Sequence, residues 1–132
     1  MEVHVVTAFL AYRDKILILK RSQRVSTYKG KWGAVSGHLE EGESPVERAF
    51  EEIKEETGIE DAKFLREGGS FKVIDPELKR DWVVYPLLFK VSKDKVKMDW
   101  EHSDFKWISP REIKNYETVP MLEEGLKRVL KQ

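Results

Sequence analysis

Residues 44 to 58 carry a helix whose two ends are both written into the chain. Ser44-Pro45-Val46-Glu47 is a capping-box start, with Ser44 placed to accept from a first-turn N–H. Pro45 sits at the first helical position, where its missing N–H costs nothing. Gly58 supplies the left-handed stop, so a helix is predicted over 45–57. Val46, Ala49, Phe50, Ile53 and Thr57 recur along it at helical spacing and are expected to face a core. A helix with one apolar stripe must lie on a partner layer, and the rest of the chain supplies strands for that layer.

Val3 to Tyr12 is rich in Val, Phe and Leu, and Arg13-Asp14 leads into Ile16-Leu17-Ile18-Leu19, which reads as two strands joined by a tight turn. Lys20 to Lys31 turns polar and basic and is expected to be a loop, followed by a short strand from Trp32 to Val35 that runs into Gly37. Further strands are predicted at 63–65, 71–74, 82–91 and 105–108. Pro86 argues that the longest of them is an edge strand or bulged there. Ser109-Pro110-Arg111-Glu112 is a second capping box opening a short helix, and Leu122, Leu126, Val129 and Leu130 give a helical stripe near the C-terminus. No repeat, low-complexity tract or linker breaks the sequence, so residues 1–132 read as a single domain of α+β class.

Charge and composition narrow the function. Lys plus Arg (24) balance Asp plus Glu (24), so no global field draws the chain to nucleic acid or to a membrane surface, and any anion site must be local. There is no cysteine, which excludes disulfides, thiolate metal sites and Cys nucleophiles and fits a reducing cytoplasm. A metal ion would have to sit on oxygen or histidine. The N-terminal residues lack a signal-peptide pattern, and no apolar run approaches the roughly 20 residues of a bilayer span, so a soluble protein is expected.

At about 100° per residue, Glu52, Glu55 and Glu56 fall within one arc of the 45–57 helix, away from the apolar stripe, with Arg48 inside the same arc. Like charges at i,i+4 repel, so Glu52 and Glu56 call for something positive between them. Mg²⁺ suits that role, since it takes hard oxygen ligands from one or two carboxylates together with substrate phosphates. Taken alone, the helix would also fit a merely solvated acidic face. The segment before it, Gly37-His38-Leu39-Glu40-Glu41-Gly42-Glu43, is a glycine-bearing loop able to bring backbone carbonyls close to an ion.

Read through from Gly37 to Ile59, GHLEEGESPVERAFEEIKEETGI resembles the Nudix box, Gly-x5-Glu-x7-Arg-Glu-U-x-Glu-Glu-x-Gly-U, with U aliphatic. Gly37, Glu43, Glu52, Ile53, Glu55, Glu56, Gly58 and Ile59 match it. Position 51 departs, carrying Glu51 where the family pattern has Arg, and Arg48 is the cation placed to compensate. The resemblance implies an α/β/α sandwich around a mixed sheet. It also implies hydrolysis of a diphosphate linkage in a nucleoside diphosphate joined to another group, by water and with Mg²⁺ (or Mn²⁺) as cofactor.

Carried over residue by residue, the resemblance makes Glu52, Glu55 and Glu56 the metal site, with Glu52 or Glu56 the catalytic carboxylate and a backbone carbonyl at Ser36 or Gly37 a further ligand. Glu43 and Arg48 become supporting partners. Glu101, in Trp100-Glu101-His102, resembles a late metal ligand of triphosphate-hydrolysing relatives, and Arg21, after the second strand, stands where relatives place a phosphate-contacting cation. Trp32, Trp82 and Tyr85 are the aromatics considered for stacking on a base, against the plainer reading as core. Pro76 lies at about the separation from the box that marks ADP-ribose hydrolases, whereas Glu101-His102 leans toward a nucleoside triphosphate. The expected partner is thus a small nucleotide, with a homodimer conceivable. A Nudix-like module that binds without cleaving is the alternative, and Glu51 is its support.

Overall fold

A computed structural model describes residues 2–130 of the chain. Eight strands form one mixed sheet: β1 (Glu2–Tyr12), β2 (Lys15–Arg21), β3 (Trp32–Gly33), β4 (Val35–His38), β5 (Lys63–Glu67), β6 (Phe71–Asp75), β7 (Arg80–Lys90) and β8 (His102–Ile108). The backbone runs β3-β2-β1-β7-β5, with β4 paired to β1, β6 to β7 and β8 to β2. The β1–β2 hairpin turns at Arg13, whose φ of 56° places it in the left-handed region of a tight turn. β1 lies at the centre, parallel to β7 on one side and antiparallel to β4 and β2 on the other.

Both faces of this sheet are buried, and strict alternation divides them. Val6, Ala8 and Leu10 of β1, with Leu17 and Leu19 of β2 and Phe89 of β7, pack beneath α1 (Pro45–Thr57). Val5, Phe9, Ile16, Ile18, Val84 and Leu88 point the other way, against Leu122, Leu126 and Val129 of α2 (Leu122–Leu130). The period-2 direction of side chains is what lets one apolar strand serve two layers. The result is the expected helix–sheet–helix sandwich. A 3₁₀ turn at Pro110–Asn115 takes the place of the second predicted helix, and its opening is capped as expected by the Glu112 carboxylate accepting from Ser109 N–H at 2.8 Å.

Two expectations are corrected. β7, which contains Pro86, is neither at the edge nor bulged there: it pairs with β1 without a break from Asp81 to Lys90. Its other side is shared by two shorter strands, β6 reaching Val84 and β5 beginning at Leu87, and Pro86 falls in the gap between them. The Pro86 carbonyl faces that gap and accepts from Gly68 N–H at 2.9 Å, so the missing N–H faces the same gap and removes no ladder bond. The single predicted strand from Trp32 is two, β3 and β4, which pair with β2 and β1 respectively.

A third correction concerns which face of α1 is buried. Phe50, expected in the core, is 40% exposed and rests edge-on against Phe89 with ring centroids 5.0 Å apart, whereas Glu56 is 1% exposed. The buried stripe of Ala49, Ile53, Glu56 and Thr57 is therefore turned toward the acidic side of the helix. A carboxylate has displaced a phenyl ring from the interior, and that inversion builds the site.

Candidate active site

The helix bounds are those given by its caps: Ser44 accepts from Glu47 N–H, and Gly58 at φ 73° donates back to the Lys54 carbonyl. This fixes the face on which the acids stand. β4 lies directly below, antiparallel to β1 with Gly37 opposite Val6. The absence of a side chain at Gly37 is what admits Glu52: a β-carbon there would lie 2.4 Å from the Glu52 carboxyl carbon. One residue earlier, Ser36 N–H points at Glu56 Oε1 at 3.4 Å, a long contact.

Glu56 Oε2 is buried and has no hydrogen-bond partner among the described residues. Burial pushes the Glu56 carboxyl well above the ordinary carboxylate range, and the neighbouring Glu52, Glu101 and Asp99 push the same way. Glu52, half-buried, is also raised, chiefly by burial. The two carboxyls face one another, so a proton or a cation must lie between them. An oxygen-seeking divalent ion fits this donor set. Glu52 and Glu56 supply carboxylate oxygens, the Ser36–Gly37 backbone is alongside, and Glu55 and Glu101 line the same cleft. Among the described residues no group of three acids or histidines is arranged to hold a metal ion by itself.

A turn before β8 covers Glu56 from the far side. His102 is buried, its Nδ1 3.1 Å from Asp99 Oδ1 and its Nε2 3.8 Å from Glu56 Oε1. Burial holds the imidazole below its usual pKa while Asp99 opposes that shift. Ser22 pins this turn, donating from its N–H to the Glu101 carbonyl (2.8 Å) and from its hydroxyl to the Trp100 carbonyl (2.9 Å). Glu101, raised mainly by burial and further by Asp99 and Glu52, is thereby set beside the helix acids.

Arg48 provides the opposing charge. Its guanidinium reaches Glu43 Oε2 at 2.5 Å, Glu51 Oε2 at 2.8 Å and Glu52 Oε2 at 3.4 Å. The Glu43 carboxylate also accepts from Glu40 N–H at 2.7 Å, tying the glycine loop to the helix. Arg48 and Glu51 thus pair on the helix surface one turn apart, with the cation on the residue nearer the N-terminus.

A cleft of about 480 Å³ opens over these groups. It is lined by the acids Glu52, Glu55, Asp99 and Glu101 and by Tyr28, Trp82, Val119 and Met121. Arg21 borders it, with Nε donating to the Thr27 carbonyl (2.9 Å) and Nη2 to Thr27 Oγ1 (3.1 Å). Burial lowers its pKa, opposed by Glu101, Glu56 and Tyr28.

A model of the NUDIX domain matches residues 2–131. The chain belongs to the Nudix family. It superposes over 96% of its length on 91% of the MutT protein of Methanosarcina mazei Go1, with a TM-score of 0.78 and 26% identity. The E. coli ORF135 protein matches over 96% of this chain and 87% of its own, with a TM-score of 0.75 and 26% identity. The fold alone is shared with a C. elegans Ap4A hydrolase, at 19% identity and a TM-score of 0.77 over 96% of this chain and 93% of that one. Nudix enzymes are pyrophosphohydrolases that generally act on nucleoside diphosphates linked to a further group and typically use divalent metals, and this chain is one of them.

Within the Nudix box, Gly37, Glu52 and Glu55 line the cleft and Glu56 lies behind Glu52, while Arg21 and Glu101 reach the same cleft from β2 and the turn before β8. Glu43 and Arg48 stand together outside it. Of the three aromatics considered for stacking, Trp82 lines the cleft but is 5% exposed, Trp32 is buried against Tyr116, and Tyr85 hydrogen-bonds His4 at 2.8 Å. Asp99 and Tyr28 were not legible beforehand. Asp99 had only its place two residues before Glu101 as a signal, and Tyr28 lay inside a stretch read as a basic loop. No helix of the described residues is long and apolar enough to cross a membrane.

Proposed function

We propose that this Nudix enzyme hydrolyses a nucleoside diphosphate derivative with Mg²⁺ or Mn²⁺, and that Glu52, Glu55, Glu56 and Glu101, with the Gly37 backbone, hold the cation. The observation that carries this reading is the buried, unpartnered Glu56 oxygen facing Glu52, a repulsive pair that only a cation or a proton relieves. When bound, the ion supplies charge neutralisation at the bridging phosphates and acidifies the attacking water. The chain's own residues do the rest. Glu52 meets the cleft and Glu56 backs it, so acceptance of the water's proton belongs to the coupled pair. Arg21, held by Thr27 at two points, offers its remaining donors to a phosphate. Arg48 and Glu43 keep Glu52 turned toward the cleft.

Among substrates, a nucleoside triphosphate is favoured over a nucleotide sugar. Glu101, which points to the former, borders the cleft, whereas Pro76, which points to the latter, is exposed on the β6–β7 turn and absent from the cleft wall. The test is product analysis after incubation with Mg²⁺ or Mn²⁺ and a panel of nucleoside triphosphates, ADP-ribose, nucleotide sugars and dinucleoside polyphosphates, beside Glu56→Gln. Metal-dependent cleavage lost in that variant is the expected result. Binding without turnover on every member would favour a nucleotide-recognition module instead.

A further inference from the structure

The aromatic part of the cleft lining has a built corner that the phosphate chemistry does not use. Tyr28 holds a φ of 51°, a left-handed conformation that a bulky side chain adopts only when its surroundings enforce it. Here they do. The Tyr28 hydroxyl donates to Asp75 Oδ2 and accepts from Trp82 Nε1–H at 3.0 Å, while Asp75 Oδ1 accepts from Leu78 N–H at 3.1 Å. Asp75 on β6 and Trp82 on β7 thus lock one phenol ring, with Leu78 N–H holding Asp75 in turn. The ring stays half-buried at the cleft, backed by Trp82 with centroids 6.3 Å apart.

Its place relative to charge is equally specific. Arg21 clasps Thr27, the residue before Tyr28, and borders the same cleft as Tyr28 and Glu101. The cleft lining thus brings together acids, one guanidinium and an aromatic ring. Those are the three kinds of group that a metal-bound nucleotide calls for: cation ligands, a phosphate contact and a flat ring.

We propose that Tyr28 is the platform on which the substrate's base stacks, braced by Asp75 and Trp82, an inference that rests on the nucleotide-hydrolase reading above. Because the phenol hydroxyl and the indole N–H are both spent inside the protein, this corner reads a π-face rather than a hydrogen-bonding edge. Adenine and guanine are accepted alike, and a ligand without a base gains nothing from it.

The experiment is calorimetric titration of the full chain, in Mg²⁺, with adenosine 5′-monophosphate, guanosine 5′-monophosphate and ribose 5-phosphate, for wild type, Tyr28→Ala and Tyr28→Phe. Tyr28→Ala should weaken both nucleotides about tenfold, the size of a lost base–aromatic stack, and leave ribose 5-phosphate within roughly twofold. Tyr28→Phe keeps the ring and should stay nearer to wild type for both nucleotides, which guards against a misfolded alanine variant. With any substrate found above, the same loss should fall on KM more than on kcat. Equal weakening of nucleotide and sugar phosphate, or none, overturns the platform while leaving the hydrolase intact. A folded wild type that neither binds nor cleaves any nucleotide overturns both.

Discussion

Replacing Glu56 by glutamine should make the metal-free protein more stable while destroying its activity. In the folded chain this carboxyl is 1% exposed, faces Glu52, and leaves Oε2 without a donor. An amide of nearly the same shape carries no charge and brings an N–H₂ that donates to Glu52. Relieving one unsatisfied buried polar group is worth about 1–3 kcal/mol. At roughly 3–5 °C per kcal/mol for a chain of this size, that is a rise in Tm of about 3–15 °C. The sign with pH follows from linkage. Glu56 has a folded pKa raised above its unfolded value, so the stability it contributes is fully present below the unfolded pKa and lost as pH rises through the folded one. The amide does not titrate, so the advantage of the variant should be small near about pH 4 and widen toward about pH 8. Thermal unfolding in chelator across that range measures it. Adding Mg²⁺ should then raise the wild type by mass action and the variant much less, closing or reversing the gap. Turnover should fall by about 10²–10⁴-fold, the usual worth of a positioned proton acceptor. A variant less stable than wild type in chelator at the alkaline end would refute the reasoning, because Glu56 would then be satisfied by a contact that the geometry lacks.

Further outcomes follow from the same contacts. Arg48→Ala should weaken Mg²⁺ affinity about tenfold, as loss of a partner behind a ligand does, whereas Lys54→Ala on another face should not; equal effects in a metal titration would remove Arg48 from its clamping role. Arg48→Glu combined with Glu51→Arg should recover part of the affinity lost by Arg48→Glu alone, since the two groups pair at 2.8 Å. Gly37→Ala should push Glu52 out of place, because the added carbon lands 2.4 Å from its carboxyl carbon; a fall in kcat/KM of about 10²-fold is expected, with the fold retained by circular dichroism. Gly58→Ala should cost about 1 kcal/mol in urea unfolding through the φ of 73° alone.

Much of the fold could be read from local chemistry. The 45–57 helix was bounded by Ser44, Pro45 and Gly58 because capping bonds reach only a few residues along the chain, and the observed element has the same bounds. The β1–β2 hairpin was likewise local, as was the spacing that gathers Glu52, Glu55 and Glu56 on one arc. Pro86 departs from its local expectation for the complementary reason. Whether a missing N–H matters depends on what lies opposite, and the gap between β5 and β6 is set by strands distant in sequence.

The sequence by itself determined the bounds of the 45–57 helix, the β1–β2 hairpin, and that three glutamates share one helix face, since each follows from contacts within a few residues. Tertiary structure alone decided that Glu56 goes inside while Phe50 stays 40% exposed. At about 100° per residue those two positions lie on opposite rims of one apolar stripe, and only the turn carrying Asp99 and His102 settles which rim is covered. Tyr28 was decided the same way, by Asp75 and Trp82, residues 47 and 54 positions away. Burial and confinement come from distant segments meeting, and no periodicity within one segment carries that information.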